Sequence, residues 1–346
     1  MASTRLGGGL SLINGVSYYD FSTNDYLGLL DDPVAVAMPG GLGASGSRLL
    51  SGTSPEVLRF ESEFSDWVGT PRSLLFNSGY HANIGVISSV VGPGDWVIAD
   101  RLVHASIWDG IRLSGAQWRR YAHNDMGSLE TLLSGVADTE GAVLVVTESV
   151  FSMDGDLAPL PDIVALCRRY GASVMVDESH SLGVLGPEGR GLVAAHGLQN
   201  DVDIWMAGLG KAWSGVGAMV AGSEDLVELL ISTSRSFMFS TALPLIAVNW
   251  AHAVLDGMHS FDAQRARLNR MVDLLGGESH IIPVMVGAVG DAISVSDQFK
   301  AAGIWAPVIK PPTVPKNSAR LRLSLSAALP DVAIDRVLSL RKDGVG

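Results

Sequence analysis

AVLVVTESVFSMDGDLAPLPDIVALCRRYGASVMVDE, residues 142–178, sets two short apolar runs on either side of a segment with helical spacing. AVLVVTE (142–148) and ASVMVDE (172–178) are apolar at successive rather than alternate positions, the pattern of strands covered on both faces. Between them, LPDIVALCRRYG (160–171) repeats apolar residues at three and four spacing, with Ile163, Val164, Leu166 and Cys167 on one stripe. Strand, helix and strand in this order imply a mostly parallel sheet between helices.

The same texture extends outward. SLLFN (73–77), DWVIAD (95–100) and VDIWMAG (202–208) read as further strands, and EVLRFESEFSDWVG (56–69) and NIGVISSVV (83–91) as helices. An α/β region therefore runs from about residue 56 to 235. After Thr241-Ala242-Leu243-Pro244 the pattern changes to longer helices (245–275), strands at HIIPVMVG (280–287) and ARLRLSLSA (319–327), and a last helix near 331–341. The expected organisation is an amino-terminal arm over 1–35, a large α/β cofactor-binding domain over 36–243 and a smaller α+β domain over 244–346.

The 346 residues are 47% hydrophobic and 17% charged, a composition that suits a well-buried globular protein. A formal charge of −12 disfavours nucleic acid and anionic membrane surfaces as partners. No apolar run is long enough for a membrane span, and MASTRLGGG lacks the order of a signal peptide, so a cytoplasmic location is expected. The single cysteine, Cys167, reads as a core thiol. No residue cluster suggests a metal.

In open α/β sheets ligands bind beyond the carboxyl ends of strands. ASVMV leads there into Asp177-Glu178-Ser179-His180; Asp177 alone reads equally as a helix cap. SLLFN leads through Ser78-Gly79-Tyr80 into a helix, whose free N–H groups hold a phosphate; alone, this is also an ordinary turn. DWVIAD places His104 at the start of the next helix, where a structural histidine is the plain alternative.

Lys211 alters that balance. Within MAGLGKAWSGVGAMVAG (206–222) it is the only charge between Asp203 and Glu224, and it is the first of five lysines in a chain whose other basic residues are arginine. An apolar setting lowers an amine's pKa and makes it a nucleophile toward aldehydes, which a guanidinium cannot become. Pyridoxal 5′-phosphate needs an amine for its aldehyde, a carboxylate for its ring nitrogen, a phosphate cradle and a flat group against its ring. Lys211, Asp177, the Ser78-Gly79-Tyr80 turn and His104 provide one each.

The chain resembles the α-oxoamine synthase family of pyridoxal-phosphate enzymes from about residue 16 to its end. Nine motifs carry the resemblance: FSTNDYLG (21–28), GASGSRLLSGTSP (43–55), NSGYHAN (77–83), ADRLVHASI (99–107), ESVFSMDGD (148–156), VDESHSLGVLGPEGRG (176–191), LGKA (209–212), FSTALP (239–244), and PPTVP with ARLRLSLSA (311–327). It implies a fold-type I aminotransferase architecture with a large, mostly parallel domain and a smaller α+β domain. It also implies a homodimer with the active site at the interface. AHND (122–125), FSMDGD and PPTVP together point to the member of the biotin pathway, hence to decarboxylative condensation of L-alanine with a pimeloyl thioester carried by coenzyme A or acyl carrier protein. Glycine C-acetyltransferase is the alternative within the family, and a catalytically idle cofactor-binding dimer partner is the alternative outside it.

The resemblance also implies roles. Lys211 bonds the cofactor aldehyde, Asp177 partners the pyridine nitrogen, and His180 and Ser152 neighbour the phenolic oxygen. His104 stacks on the ring, and Ser78, Gly79 and Tyr80 hold the phosphate with Thr241 of the other subunit. Asn24 and Arg322 hold the amino-acid carboxylate, for which a bidentate guanidinium is suited. Some positions depart from the family pattern. Gly208 replaces the usual threonine that gives the phosphate a hydroxyl, Ser179 replaces alanine, Leu329-Pro330 stands for His-Glu, and Lys310 for arginine. No leading helix with its arginine is expected from MASTRLGGG, and residues 256–284 form a shorter segment than usual, which leaves acyl recognition unassigned.

Overall fold

A computed structural model of the chain describes residues 3–36, 42–342 and 344. Its first elements are β1 (Ser3–Gly7), β2 (Leu10–Ile13) and β3 (Val16–Asp20), an antiparallel meander where an arm was expected. Gly7, Gly8 and Gly9 all take positive φ, +87°, +56° and +72°, which closes the first turn at no steric cost. A glycine-rich opening thus marks a tight hairpin rather than a loose segment.

The main sheet has seven strands: β4 (Arg72–Phe76), β5 (Trp96–Asp100), β6 (Gln117–Tyr121), β7 (Val143–Glu148), β8 (Ser173–Asp177), β9 (Ile204–Gly208) and β10 (Ala218–Gly222). They lie in the order β4-β10-β9-β8-β7-β5-β6, with β10 antiparallel to both neighbours and all other pairs parallel. The α/β sheet read from residues 142–178 is thereby observed. Leu144, Val145, Val146, Val174, Met175 and Val176 are each no more than 2% exposed. Burial of such side chains stabilises by about 1.5–3 kcal/mol each, as an upper bound.

Helices α1 (Pro55–Val68), α2 (Gly79–Val90), α3 (Ala105–Ser114), α4 (Met126–Ser134) and α5 (Leu160–Tyr170) alternate with the strands. α5 buries the expected stripe, including Cys167, whose thiol burial pushes up to about 12. The edge strand β6 lacks an apolar pattern. Gln117, Trp118, Arg119 and Arg120 are exposed, and Arg119 and Arg120 stack over Trp96 and Trp108 at 4.8 and 4.2 Å, so only pairing with β5 identifies it as a strand.

The chain divides into two compact units, one made of Met1–Pro33, Ser152–Leu157 and Ser260–Gly346, the other of Val34–Phe151 and Ala158–His259. The second contains the seven-stranded sheet. It also holds the helix Leu245–Gly257, which sequence texture had placed with the smaller domain; Trp250 of that helix donates from Nε1 to the Trp213 carbonyl at 2.8 Å. The first unit holds β11 (Ile281–Gly287), β12 (Ile304–Trp305), β13 (Val308–Ile309) and β14 (Ala319–Ser324). β12 pairs in parallel with β3, and β11-β14-β13 form an antiparallel sheet. Among the described residues no helix is long and apolar enough to cross a membrane.

Candidate active site

The carboxyl ends of the central strands line up. Glu148 at the end of β7 pairs with Asp177 at the end of β8, which pairs with Met206 of β9. Asp177 is 6% exposed, and its carboxylate accepts from Asn83 Nδ2 at 3.0 Å and from the Ser179 backbone N–H at 2.9 Å. The Asn83 amide nitrogen donates also to Ser106 Oγ at 2.9 Å, and Ser106 Oγ lies 2.7 Å from His104 Nδ1. A continuous hydrogen-bonded path therefore runs from Asp177 through α2 and the first turn of α3 to the His104 ring.

Sequence reading missed Asn83 and Ser106. Both sit inside quoted motifs, NSGYHAN and ADRLVHASI, and both are apolar-face positions of their helices, 2% and 0% exposed. A polar residue at such a helical position is the signal that marks them, because a buried amide or hydroxyl needs a partner.

Charge is concentrated here. The buried Glu148 carboxyl is raised well above the usual range, first by burial and then by Asp177, against the opposing charge of Lys211. Its Oε1 accepts the backbone N–H of His104 at 2.5 Å. The His104 imidazole is lowered by partial desolvation, with Asp177 opposing that shift and Lys211 adding to it. Glu148 and His104 thus both lie within the fields of Asp177 and Lys211.

Lys211 lies in the loop between β9 and β10, closed by Leu209 N–H to Gly217 O and Gly215 N–H to Leu209 O, both 2.9 Å. β10 returns antiparallel directly beside β9, so the loop is short and holds its lysine just beyond the carboxyl end of β9. Ser78 caps α2 by accepting from His81 N–H at 3.2 Å. The first helical N–H groups, of Gly79 and Tyr80, have no intrahelical acceptor and carry the positive end of the dipole. A side-chain carbon added at Gly79 would lie 3.8 Å from Gly208 Cα, so this helix start and the end of β9 are adjacent.

His180 is buried on the turn after β8. Its neighbour Glu178 is fully buried and accepts from Leu192 and Val193 N–H at 2.9 and 2.6 Å, anchoring the GRG turn of the motif rather than facing a ligand. Thr241 is exposed, bridges to Ser47, and accepts from Asn77 Nδ2 at 2.6 Å through its carbonyl. His252 has one ring nitrogen 2.9 Å from Arg59 Nη2 and the other engaged by Glu63.

The remaining expected residues belong to the other unit. Arg322 on β14 donates from Nη1 and Nη2 to Asn24 Oδ1, both 3.2 Å, and from Nε to the Ser152 carbonyl. Arg48, Arg265 and Arg320 are the other arginines at least nine-tenths buried, and each pairs with a carboxylate: Glu61, Asp262 and Asp154. Arg322, 5% exposed, has no carboxylate in ion-pair range among the described residues. Tyr26, which donates to the same Asn24 oxygen at 3.1 Å, is pushed up to about 12 by burial.

These groups fit pyridoxal 5′-phosphate. A buried carboxylate, an amine on a tight loop, an accessible imidazole and a helix start with side-chain-free approach at Gly79 and Gly208 are the donor and acceptor set that cofactor needs.

A family model for class I and II aminotransferases matches residues 17–339. The chain belongs to the class I and II aminotransferase family. Curated relatives include 8-amino-7-oxononanoate synthases of Acidithiobacillus ferrooxidans, 43% identical over 91% of this chain and 85% of that protein, and of Geobacter sulfurreducens, 44% identical over 92% and 86%. Among solved structures, a serine palmitoyltransferase of S. paucimobilis with bound PLP and myriocin superposes with a TM-score of 0.92 at 30% identity, covering 100% of this chain and 94% of that one. The expected α-oxoamine synthase membership and fold-type I architecture are borne out.

Within this aminotransferase-family frame, two departures from the pattern meet. The Gly208 N–H donates to Ser179 Oγ at 2.8 Å, although 29 positions separate them. Leu329, another departure, is fully buried against Gly9.

Proposed function

We propose that this chain catalyses 8-amino-7-oxononanoate synthesis, the pyridoxal-phosphate-dependent condensation of L-alanine with a pimeloyl thioester that releases CO2 and free thiol in biotin biosynthesis. The observation that carries the amino-acid half is Arg322: a buried guanidinium without a carboxylate partner among the described residues, its two terminal nitrogens turned to one side-chain oxygen, is poised to exchange into a bidentate contact with a substrate carboxylate. The activity of the curated relatives supports the rest.

When bound, pyridoxal 5′-phosphate supplies an electron-withdrawing pyridinium that stabilises negative charge at the substrate α-carbon. Asp177 keeps the proton on the ring nitrogen, and Asn83 and the Ser179 N–H fix the direction of its carboxylate. Lys211 would hold the aldehyde carbon, and its amine would move the proton at the alanine α-carbon. His104 would pack on the ring face, its tautomer set by Ser106, which is hydrogen-bonded to Nδ1. Gly79 and Tyr80 N–H groups would bind the phosphate and His180 would neighbour the phenolic oxygen, a role that the family resemblance also gives to Ser152. Asn24 and Arg322 orient the carboxylate that leaves as CO2. In a homodimer, Thr241 of each chain reaches the partner's phosphate. We place the enzyme in the cytoplasm, with the acyl group carried by coenzyme A or acyl carrier protein.

Initial rates with alanine, glycine or serine paired against pimeloyl, acetyl or succinyl thioesters test this reading. The highest kcat/KM is expected for alanine with the pimeloyl thioester. Preference for glycine with the acetyl thioester would identify a glycine C-acetyltransferase instead, and no turnover on any pair an idle subunit.

A further inference from the structure

Ser179 stands between Asp177 and His180 and is 8% exposed. Its hydroxyl oxygen accepts from the Gly208 N–H at 2.8 Å, while among the described residues its own proton faces only the Met206 thioether at 4.0 Å, a weak acceptor at long range. A buried hydroxyl that accepts well and donates poorly has one hydrogen-bonding capacity unspent. Gly208 ends β9 three residues before Lys211, and its Cα lies 3.8 Å from where a side-chain carbon at Gly79 would be. A side-chain carbon built on Gly208 would in turn lie 3.3 Å from Ser179 Oγ and 3.9 Å from Ser179 Cβ. The serine hydroxyl therefore borders the space that a side chain at 208 would fill, beside the start of α2.

We propose that Ser179 is a cofactor-contacting residue whose hydroxyl donates to the phosphate of pyridoxal 5′-phosphate, in place of a side-chain hydroxyl at position 208. This rests on the reading of the site as a pyridoxal-phosphate site, and not on which acyl thioester is used. The two positions work as an exchange. With serine at 179, glycine at 208 leaves the hydroxyl room; with alanine at 179, a threonine at 208 finds only ordinary contact at 3.9 Å.

The test measures cofactor affinity of the apo-protein by fluorescence or absorbance titration, with pyridoxal 5′-phosphate and with pyridoxal, which lacks the phosphate. S179A is expected to weaken pyridoxal 5′-phosphate binding by about tenfold, the size of one hydrogen bond to a charged acceptor, and to leave pyridoxal binding unchanged. S179C, a poorer donor of similar size, is expected to follow S179A. G208T alone is expected to bind no more tightly than the parent, because its Cβ crowds Ser179 Oγ, whereas S179A/G208T is expected to recover the parent affinity. Unchanged affinity in S179A, or equal losses for both ligands, would overturn the phosphate contact, and a double variant no better than S179A would overturn the exchange. Failure of the parent to bind pyridoxal 5′-phosphate at all would remove the underlying reading as well, which separates the two cases. Thermal melting of the apo-proteins distinguishes a lost contact from a folding defect.

Discussion

Asn83 on α2 donates to Asp177 at the end of β8 across 3.0 Å, with 94 positions of sequence between them. The carboxylate can only accept, so the amide nitrogen must face it, and Asn83 Oδ1 is left without a partner among the described residues. Asn83 Nδ2 donates at the same time to Ser106 Oγ at 2.9 Å, which fixes the direction in which the amide faces the carboxylate. The relation thus marks Asn83 as a residue that aims Asp177.

Replacing Asn83 by aspartate keeps its shape and sets two carboxylates within hydrogen-bond distance. Like charges at that separation drive one pKa up, so the pair holds a proton and Asp177 loses its charge or its direction. N83D should lower kcat/KM by about 10- to 100-fold, or roughly 1.4–2.8 kcal/mol of transition-state stabilisation. The loss should change with pH, whereas N83A should show a pH-independent loss. Parallel pH profiles for the two variants would contradict this role.

Lys211→Ala removes the amine that moves the α-proton. Turnover should fall by at least about 10²- to 10⁴-fold, the usual contribution of a positioned base. Cofactor should still bind, held by the helix start and Asp177, but borohydride should no longer fix it to the chain. Peptide mapping of borohydride-treated parent protein should find the label on Lys211; finding it on another lysine would reassign the site.

Arg322→Lys keeps the charge and loses the planar fork. The KM for alanine should rise by about tenfold or more while the KM for the acyl thioester stays near the parent value. An equal rise in both would point to a general loss of structure, which circular dichroism checks directly.

Burial pushes the Glu178 carboxyl from its ordinary 4.5 up to about 7, against the N–H groups of Val193 and Leu192. Between about pH 4.5 and 7 the folded chain binds the proton more tightly than the unfolded one, so this group's contribution to stability falls as pH rises through that window and is level above it. The total change is at most about 3 kcal/mol. Urea unfolding at pH 5 and pH 7.5 should show a flatter pH dependence for Glu178→Gln than for the parent, along with lower stability at both, since an amide cannot accept two backbone donors on both of its heavy atoms. An unchanged slope would remove Glu178 as the source.

Much of the site was legible because its groups follow strands. Asp177, His104 and Ser78 were found as polar residues beyond apolar runs, a pattern that depends on local spacing alone. Asn83 and Ser106 were not, since their partners are distant in sequence and a helical polar residue looks the same whether it faces solvent or a buried carboxylate. The edge strand β6 escaped for a related reason, because exposed arginines carry no apolar period. The meander β1–β3 read as an arm, since its glycines, which serve the turn, dilute the strand pattern.

By itself the sequence determined the α/β class, the strand ends where chemistry sits and the family, because runs of buried residues and short motifs are local properties. Only the tertiary structure decided that Asn83 and Ser106 join Asp177 to His104, that Arg322 is buried with Asn24 and without an acid, and that Ser179 and Gly208 touch. Those contacts link residues tens to hundreds of positions apart, and hydrogen bonds of about 3 Å depend on how sheet and helices pack, which no local pattern encodes.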